Sequence, residues 1–335
     1  MVTINDVADA AGVAPSTVSY VISGKRSISP GTRRLVEAAI RRLGYHPHAG
    51  ARALASNRTN VLALVVPLRT DLNVSVVMEF VASVAGAARM HGQDMLLLTE
   101  NDGPAALQRI ASSATADALM VMDVEASDAR LPVLAALDRP VVLIGVPDAP
   151  SGLTCVDLDF SAAGAACVAH LAGLGHRRVA LLGPPPAVYE RGTSYATRFL
   201  RGFGEEAGRR EVHTVTRECA GSYETIDAVL DELFAREPGV TGLVVHNEAA
   251  LPALLAGLRH RNLRVPEDVS IVAVCPDSMA GQSAVALTTV AIPAEEIGAQ
   301  AVELTMRHLG GHTTSEVRLL SPCLTIRDST APPPA

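Results

Sequence analysis

The stretch VTINDVADAAGVAPSTVSYVISG, from Val2 to Gly24, gathers Ser16, Thr17, Ser19, Tyr20 and Ser23 in one short segment. Serine and threonine hydroxyls bond base edges and phosphate oxygens alike, so a helix showing this row on one side is equipped to read a DNA major groove. Other chemistry is poorly supplied. No GxSxG, HExxH, GxxxxGK[ST] or spaced Cys/His set occurs, which removes the common hydrolase, metalloprotease and phosphate-loop mechanisms. The nearest nucleophile is Cys275, with His246 at another strand end, and a buried structural thiol is the expectation for it. GPPPAVYERG (183–192) looks like a phosphate loop, but three prolines remove the amide donors such a loop needs. No enzyme activity, cofactor or metal is expected.

The hydroxyl row needs a helix to hold it. The spacing predicts a first helix from Ile4 to Ala11, capped by Thr3, with Asp6 in the first turn, where the helix dipole favours an acid. Ile4, Val7, Ala8 and Ala11 share one face at i, i+3, i+4, i+7. Gly12 permits the positive φ of a tight turn. Pro15 opens a second helix that buries Val18, Val21 and Ile22 and exposes the hydroxyls. Ser29-Pro30 starts a third, with Leu35, Val36, Ala39, Ile40 and Leu43 as its apolar stripe and Gly44 at its end. Three short helices with a tight turn between the first two describe a helix-turn-helix.

Charge separates this head from the rest. Residues 1–60 carry eight Lys/Arg against three acids, and the remainder twenty against thirty-two. A basic head on an acidic body is the footprint of a polyanion-binding module joined to a second domain. Apolar content of 48% supports sizeable cores, and no uninterrupted apolar run reaches 18 residues, so no membrane span is expected. The start lacks a basic segment followed by an apolar one, so no secretory signal is expected. Five cysteines without CxxC spacing then read as reduced thiols, and the location as cytoplasmic.

Beyond Asn60, apolar strands at 61–67, 94–99, 117–124, 140–146, 178–183, 242–247 and 269–274 alternate with helical segments. That pattern means parallel sheets covered on both faces. Ligands of such sheets bind beyond the carboxyl ends of strands. The ends of interest are Pro67 to Asn73, Asp123, Gly145 to Asp148, Pro184 to Arg191, His246 to Glu248 and Cys275 to Asp277.

Val2 to Pro67 resembles the head and hinge of the LacI (lac repressor) family of bacterial transcription regulators. The runs that carry the resemblance are TINDVADAAGVAPSTVSYVISG, SISPGTRRLVEAAIRRLGYHPHAGARALAS and RTNVLALVVP. It continues through HLAGLGHRRVALLG (170–183), LRVPEDVSIVAV (263–274), IPAEEIGAQAVELTMRHLGG (292–311) and LTIRDSTAP (324–332). The resemblance implies an all-α helix-turn-helix head (1–46), a hinge helix (47–59), and a two-lobed α/β body of parallel sheets (60–332) like a periplasmic binding protein. Lobe 1 would hold about 60–159 and 290–320, lobe 2 about 160–289 and 321–332, with crossings near 160, 280–290 and 320. Base readout falls to Pro15, Ser16, Tyr20 and Arg26, and phosphate or sugar contacts to Thr17, Ser19 and Tyr45. The hinge puts Leu54, beside Ala51 and Arg52, into the minor groove as a wedge that bends the duplex. Two departures stand out: Tyr20 sits where a stronger donor is common, and Gly50 where a bulkier residue is.

For the effector pocket the resemblance implies Asn247 and Glu248, here in NEAALP, as bonds to ligand hydroxyls. Their alternative is to cap the helix beginning at Ala249. Cys275 stands at a common position for a pocket acid, with Asp277 as the substitute from a shifted turn. Arg198 and Arg191 compete as the pocket arginine, and Asp71 and Asn73 reach in from the other lobe. Asp159 is read as a helix cap, and Phe160, Tyr189 and Tyr195 as packing more than stacking groups. The implied function is a DNA-binding regulator, a repressor of carbohydrate-utilisation genes, acting as a homodimer or tetramer on a palindromic operator under a sugar or sugar-derived effector. Its rivals are a ligand-independent or co-repressor-dependent regulator and a sugar-binding receptor.

Overall fold

The computed structural model describes residues 2–23, 26–45, 58–66, 68–69, 71–99 and 115–334. Three helices open the chain: α1 Ile4–Ala11, α2 Pro15–Ser23 and α3 Pro30–Leu43. Thr3 and Asp6 start α1 as a reciprocal pair. The Thr3 amide donates to Asp6 Oδ2 at 2.7 Å and the Asp6 amide to Thr3 Oγ1 at 3.4 Å, so two orphan donors of the first turn are satisfied. Gly12 ends α1 with φ 67°. The Ser29 hydroxyl accepts from the Thr32 amide at 3.2 Å and caps α3. Val7, Ala8, Val18, Val21, Val36 and Ala39 form the head core. Leu35 departs from the expected stripe and is 60% exposed. Val36, Ala39, Ile40 and Leu43 already complete the i, i+3, i+4, i+7 face, and Leu35 lies roughly 100° around the helix from Val36.

The first lobe begins with β1 Val61–Val65, α4 Val74–Met90, β2 Asp94–Leu98, β3 Ala118–Val121, α5 Leu131–Ala135, β4 Val141–Ile144 and β5 Thr154–Leu158. The second holds α6 Phe160–Leu174, β6 Arg178–Gly183, α7 Pro186–Glu190, α8 Ser194–Arg209, β7 His213–Glu218, α9 Tyr223–Arg236, β8 Gly242–Val245, α10 Leu251–His260, β9 Ser270–Cys275, α11 Asp277–Gln282 and β10 Thr288–Ala291. α12 Ala294–Leu309 and β11 Val317–Leu320 return to the first lobe, and β12 Leu324–Thr325 ends in the second. The sheet orders are β11-β5-β4-β3-β1-β2 and β12-β10-β9-β8-β6-β7. Among the described residues every pairing between these strands is parallel except β10 with β12.

All seven strands read from apolar runs are present. The runs did not disclose β5, β7, β10, β11 and β12, which carry acids or alternating polar residues or are very short. The chain crosses between lobes at Asp159, at Ile292–Pro293 and within 321–323. The second crossing falls later than 280–290 because β10 still pairs in parallel with β9.

Helices α6 and α8 touch backbone to backbone. A Cβ on Gly202 would collide with the Ser161 carbonyl, and one on Gly164 with the Phe199 carbonyl. Across the other lobe, Ser83 Oγ donates to the Glu295 carbonyl at 2.8 Å and ties α4 to α12. One apolar cluster runs from Leu62 and Leu64 through Leu158 and Phe160 to Val244 and Val272. The lobes therefore share a core at their junction, and the strand ends face one another above it. Among the described residues no helix is long and apolar enough to cross a membrane.

Candidate nucleic-acid interface and interlobe cavity

On α2, Val18 and Val21 are buried, which fixes the helix's orientation. Pro15 and Ser16 are exposed, and Thr17, Ser19 and Tyr20 half-buried. The exposed Arg26 holds its guanidinium carbon 5.7 Å from the centre of the Tyr20 ring, a cation–π approach that joins two of the expected base-reading groups. Arg42 donates to the Ala10 carbonyl at 3.4 Å, bracing α3 against α1. Tyr45 is only 8% exposed and packs in the head core, which leaves a phenolic edge at most for the sugar–phosphate backbone. The Ser23 side chain and Ala51, Arg52 and Leu54 lie outside the described residues.

Between the lobes lies a cavity of about 130 Å³. The first lobe lines it with Val66, Val76, Val77, Phe80, Met122 and Ile144, and with the polar Asn73 and Asp123. From the second come Phe160, Ser194, Tyr195, His246 and Glu248. Phe160, Tyr195 and His246 form a ring cluster with centroids 5.5 to 5.7 Å apart, and Phe199 stacks on His246 at 4.1 Å. Burial pushes His246 down to about 3, so its imidazole is neutral. Burial likewise raises the carboxyls of Asp123 and Glu248, against the pull of Arg69 and Arg191 in the first case and of the Asn73 hydrogen bond in the second.

One rim of the cavity is zipped across the lobes. The Ala126 amide donates to the Gly192 carbonyl at 2.7 Å and the Ser194 amide to the Val124 carbonyl at 2.9 Å. Arg191 pairs with Asp71 at 2.6 Å and approaches Asp123 at 3.9 Å, while Arg69 meets Asp123 at 3.3 Å.

The expected pocket residues separate into two groups. Asn73 and Glu248 line the cavity, and Asn73 also caps α4, accepting from the Ser75 amide at 3.1 Å. Asp71 and Arg191 form the rim pair. The rest are engaged elsewhere. Arg198 is buried and donates to Asp157 at 2.8 Å and to the Leu158 carbonyl at 3.2 Å, so it staples α8 to β5. Asn247 donates to the Cys219 carbonyl at 2.7 Å and makes no cap bond; it ties strand ends together, which is neither of its two expected roles. Cys275 lies 3.6 Å from Thr289 Oγ1, and burial pushes its thiol up to about 11, the reverse of an activated nucleophile. Asp277 pairs with Arg327 on the surface. Asp159 caps α6, accepting from the Ala162 amide at 3.1 Å.

Sequence reasoning passed over Asp157 and Ser194, which both line the cavity. Asp157 had a signal: it is the one acid in the strand TCVDL, every residue of which is buried. Burial pushes its carboxyl up to about 7, with Arg198 opposing. Ser194 had none, because its place at the cavity comes from the interlobe bridge beside it.

A helix-turn-helix with an exposed polar row, ahead of two parallel-sheet lobes enclosing a cavity, defines a ligand-responsive DNA-binding regulator. A model of bacterial regulatory proteins of the lacI family matches residues 3–48, and one of a periplasmic binding protein-like domain matches residues 168–330. The HTH-type transcriptional regulator CelR of Thermobifida fusca is 30% identical, over 98% of each chain. A solved CelR–cellobiose complex is 26% identical over 98% of this chain and 100% of that one, with a TM-score of 0.69. A lac repressor dimer bound to operator and the anti-inducer ONPF is 23% identical over 98% and 99%, with a TM-score of 0.84, which shows the shared fold. The chain belongs to the LacI family, and it is a DNA-binding transcriptional regulator with an effector-binding body.

Proposed function

We propose that this chain binds an inverted-repeat operator as a homodimer in the cytoplasm, and that a small effector between its lobes relieves repression. The observation that carries this reading is the pairing of Ser16 and Tyr20 on α2, with Arg26 5.7 Å from the Tyr20 ring, with a polar-edged cavity between two lobes. Two heads related by a two-fold axis read two half-sites, so operator symmetry mirrors the dimer. Leu54 from each hinge wedges the central step and bends the duplex. A sugar or sugar derivative as the effector is supported by the resemblance to CelR, whose solved complex holds cellobiose. At about 130 Å³ the cavity is smaller than the roughly 300–1,000 Å³ of ordinary small-molecule sites. It suits a compact ligand, and a larger one requires the rim pairs to part. Ligand and operator then bias one two-state arrangement of the lobes, which is allostery as a coupling energy.

Selection of duplexes from a random pool by the purified protein tests the reading. An inverted repeat emerges, Leu54→Ala reduces both its affinity and its bending, and effector lowers its affinity. If no inverted repeat outcompetes random duplex at physiological salt, the reading fails.

A further inference from the structure

Residues 47–59, the hinge of the reading above, hand the chain to the body at one tightly held point. Asn60 turns there with φ 56°, a left-handed conformation that asparagine tolerates. The half-buried Asp117 holds that turn. Its Oδ1 accepts from the Thr59 amide at 2.7 Å and from Thr59 Oγ1 at 2.8 Å, and its Oδ2 accepts from the Asn60 amide at 2.9 Å. The Asp117 amide donates in return to the Val61 carbonyl at 2.8 Å. Both oxygens of one side chain are therefore spent on the last two residues before β1. Arg58 adds a separate tie, donating to the Leu309 carbonyl at the end of α12 at 3.2 Å.

Asp117 is also the root of a strand that runs to the cavity. β3 follows it directly, and Ala118, Leu119, Met120 and Val121 are all fully buried. β1 pairs with β3 on one side and β4 on the other. A close-packed interior transmits a displacement and does not absorb it. At about 3.3 Å per residue, the run from Asp117 to Met122 spans roughly 17 Å. Its far end is the interlobe rim, where Met122, Asp123 and Val124 line the cavity. Asp123 has φ 53° and meets Arg69 at 3.3 Å and, across the lobes, Arg191 at 3.9 Å. The Val124 carbonyl accepts from Ser194, and the Ala126 amide donates to Gly192. Residues 117–126 thus clamp the hinge exit at one end and fasten to the second lobe at the other.

Resting on the reading of a regulator whose lobes rearrange, we propose that Asp117 is a positioning residue for the regulatory response. Through β3 it sets the hinge exit at Thr59 and Asn60 according to whether the rim at Asp123 and Arg191 is closed or parted. The chemistry calls for a carboxylate. Three donors converge on it, and both of its oxygens accept. An asparagine there has one accepting oxygen, and its NH2 group is left facing a backbone N–H. Movement of one lobe against the other then reaches the hinge as a shift of the β3 root, and cavity and operator share a coupling energy.

The test is a double-mutant cycle in the full chain, with no effector present. Arg191→Ala releases the rim, and Asp117→Asn weakens the clamp. Each of the four proteins is read by hydrogen exchange of the segment 58–62 and by fluorescence anisotropy on the duplex selected above. With Asp117 in place, Arg191→Ala speeds that exchange at least about fivefold and changes operator affinity at least about fivefold. In the Asp117→Asn background both responses to Arg191→Ala fall below about twofold. A clamp that only stabilises the body lowers the melting temperature and leaves both responses intact. That outcome overturns the assignment and moves the route to Arg58 and α12. An exchange rate at 58–62 that ignores Arg191→Ala in the otherwise unaltered chain overturns it as well. Should Asp117→Asn melt early, Thr59→Val removes one of the three bonds to the carboxylate, and the response is at least halved. If no duplex is preferred, the operator reading fails while the exchange measurement still decides the role of Asp117.

Discussion

The head and the interlobe cavity both present polar groups to a ligand, and they keep them in opposite states. Ser16 and Arg26 stand in water, where an unbonded donor or acceptor costs nothing until DNA arrives. Ser194 and His246 are almost wholly buried, where an unpaired polar atom costs on the order of 1–3 kcal/mol. A polar side chain in the cavity region must therefore find a protein partner or wait for a ligand. Arg198 and Asn247 found partners. The head holds Ser16 and Arg26 open to solvent, whereas several polar groups at the cavity, Asn73 and Asp157 among them, are already engaged by the protein.

The sharpest way to break this contrast is Asp157→Ala. It leaves the Arg198 guanidinium buried without its partner, and denaturant unfolding should register a loss of about 3–5 kcal/mol. A loss below about 1 kcal/mol would mean that water reaches Arg198 and that this part of the body behaves like the head. On the head side, Tyr20→Ala should cost about 1–3 kcal/mol on the preferred operator and relax preference at one base position. An equal loss on every sequence, with a shallower salt slope, would move Tyr20 from base edge to phosphate.

Acidity sharpens the cavity side. Burial holds folded His246 near 3 against an ordinary value of 6.5. Above 6.5 neither state is protonated and the residue is silent. As pH falls from about 6.5 toward 3, the unfolded chain takes up a proton that the folded one refuses, so stability drops. Asp157, raised to about 7, contributes the opposite slope between its ordinary value and 7, so the readout is a difference between chains. From pH 7 to pH 5 the wild type should lose about 2 kcal/mol more than His246→Phe. Identical pH profiles would show the imidazole to be wet. The smallest effect is local to the head: Thr3→Ala removes half of the capping pair and should cost about 1 kcal/mol of head stability, read by the unfolding of the head while the body stays folded. Equal melting of both would make the head and body one cooperative unit.

Legibility followed the range of the interactions. Thr3, Gly12, Pro15 and Ser29 act on their own or adjacent turns, so helix starts and stops were plain from residue types. Leu35 was misread because a stripe one residue too wide still fits the same spacing. Strand-end logic located Asn73, Asp123, Gly145, His246 and Glu248 at the cavity, since parallel strands all deliver their carboxyl ends to one side. It did not say which of the polar ends would be used. Asn247 and Glu248 are adjacent in sequence, yet one ties strands together and the other meets the cavity.

Residue order and spacing thus determined the helix-turn-helix, the parallel-sheet body and the basic head on an acidic body, because these rest on periodicity, caps and charge counts within short windows. Only the folded arrangement decided which polar side chains face the cavity. Asp157 lies 41 positions from Arg198, and Asn247 lies 28 from Cys219. Whether a polar side chain is satisfied or left waiting depends on what the fold brings within hydrogen-bond reach of it, a distance that no local pattern encodes.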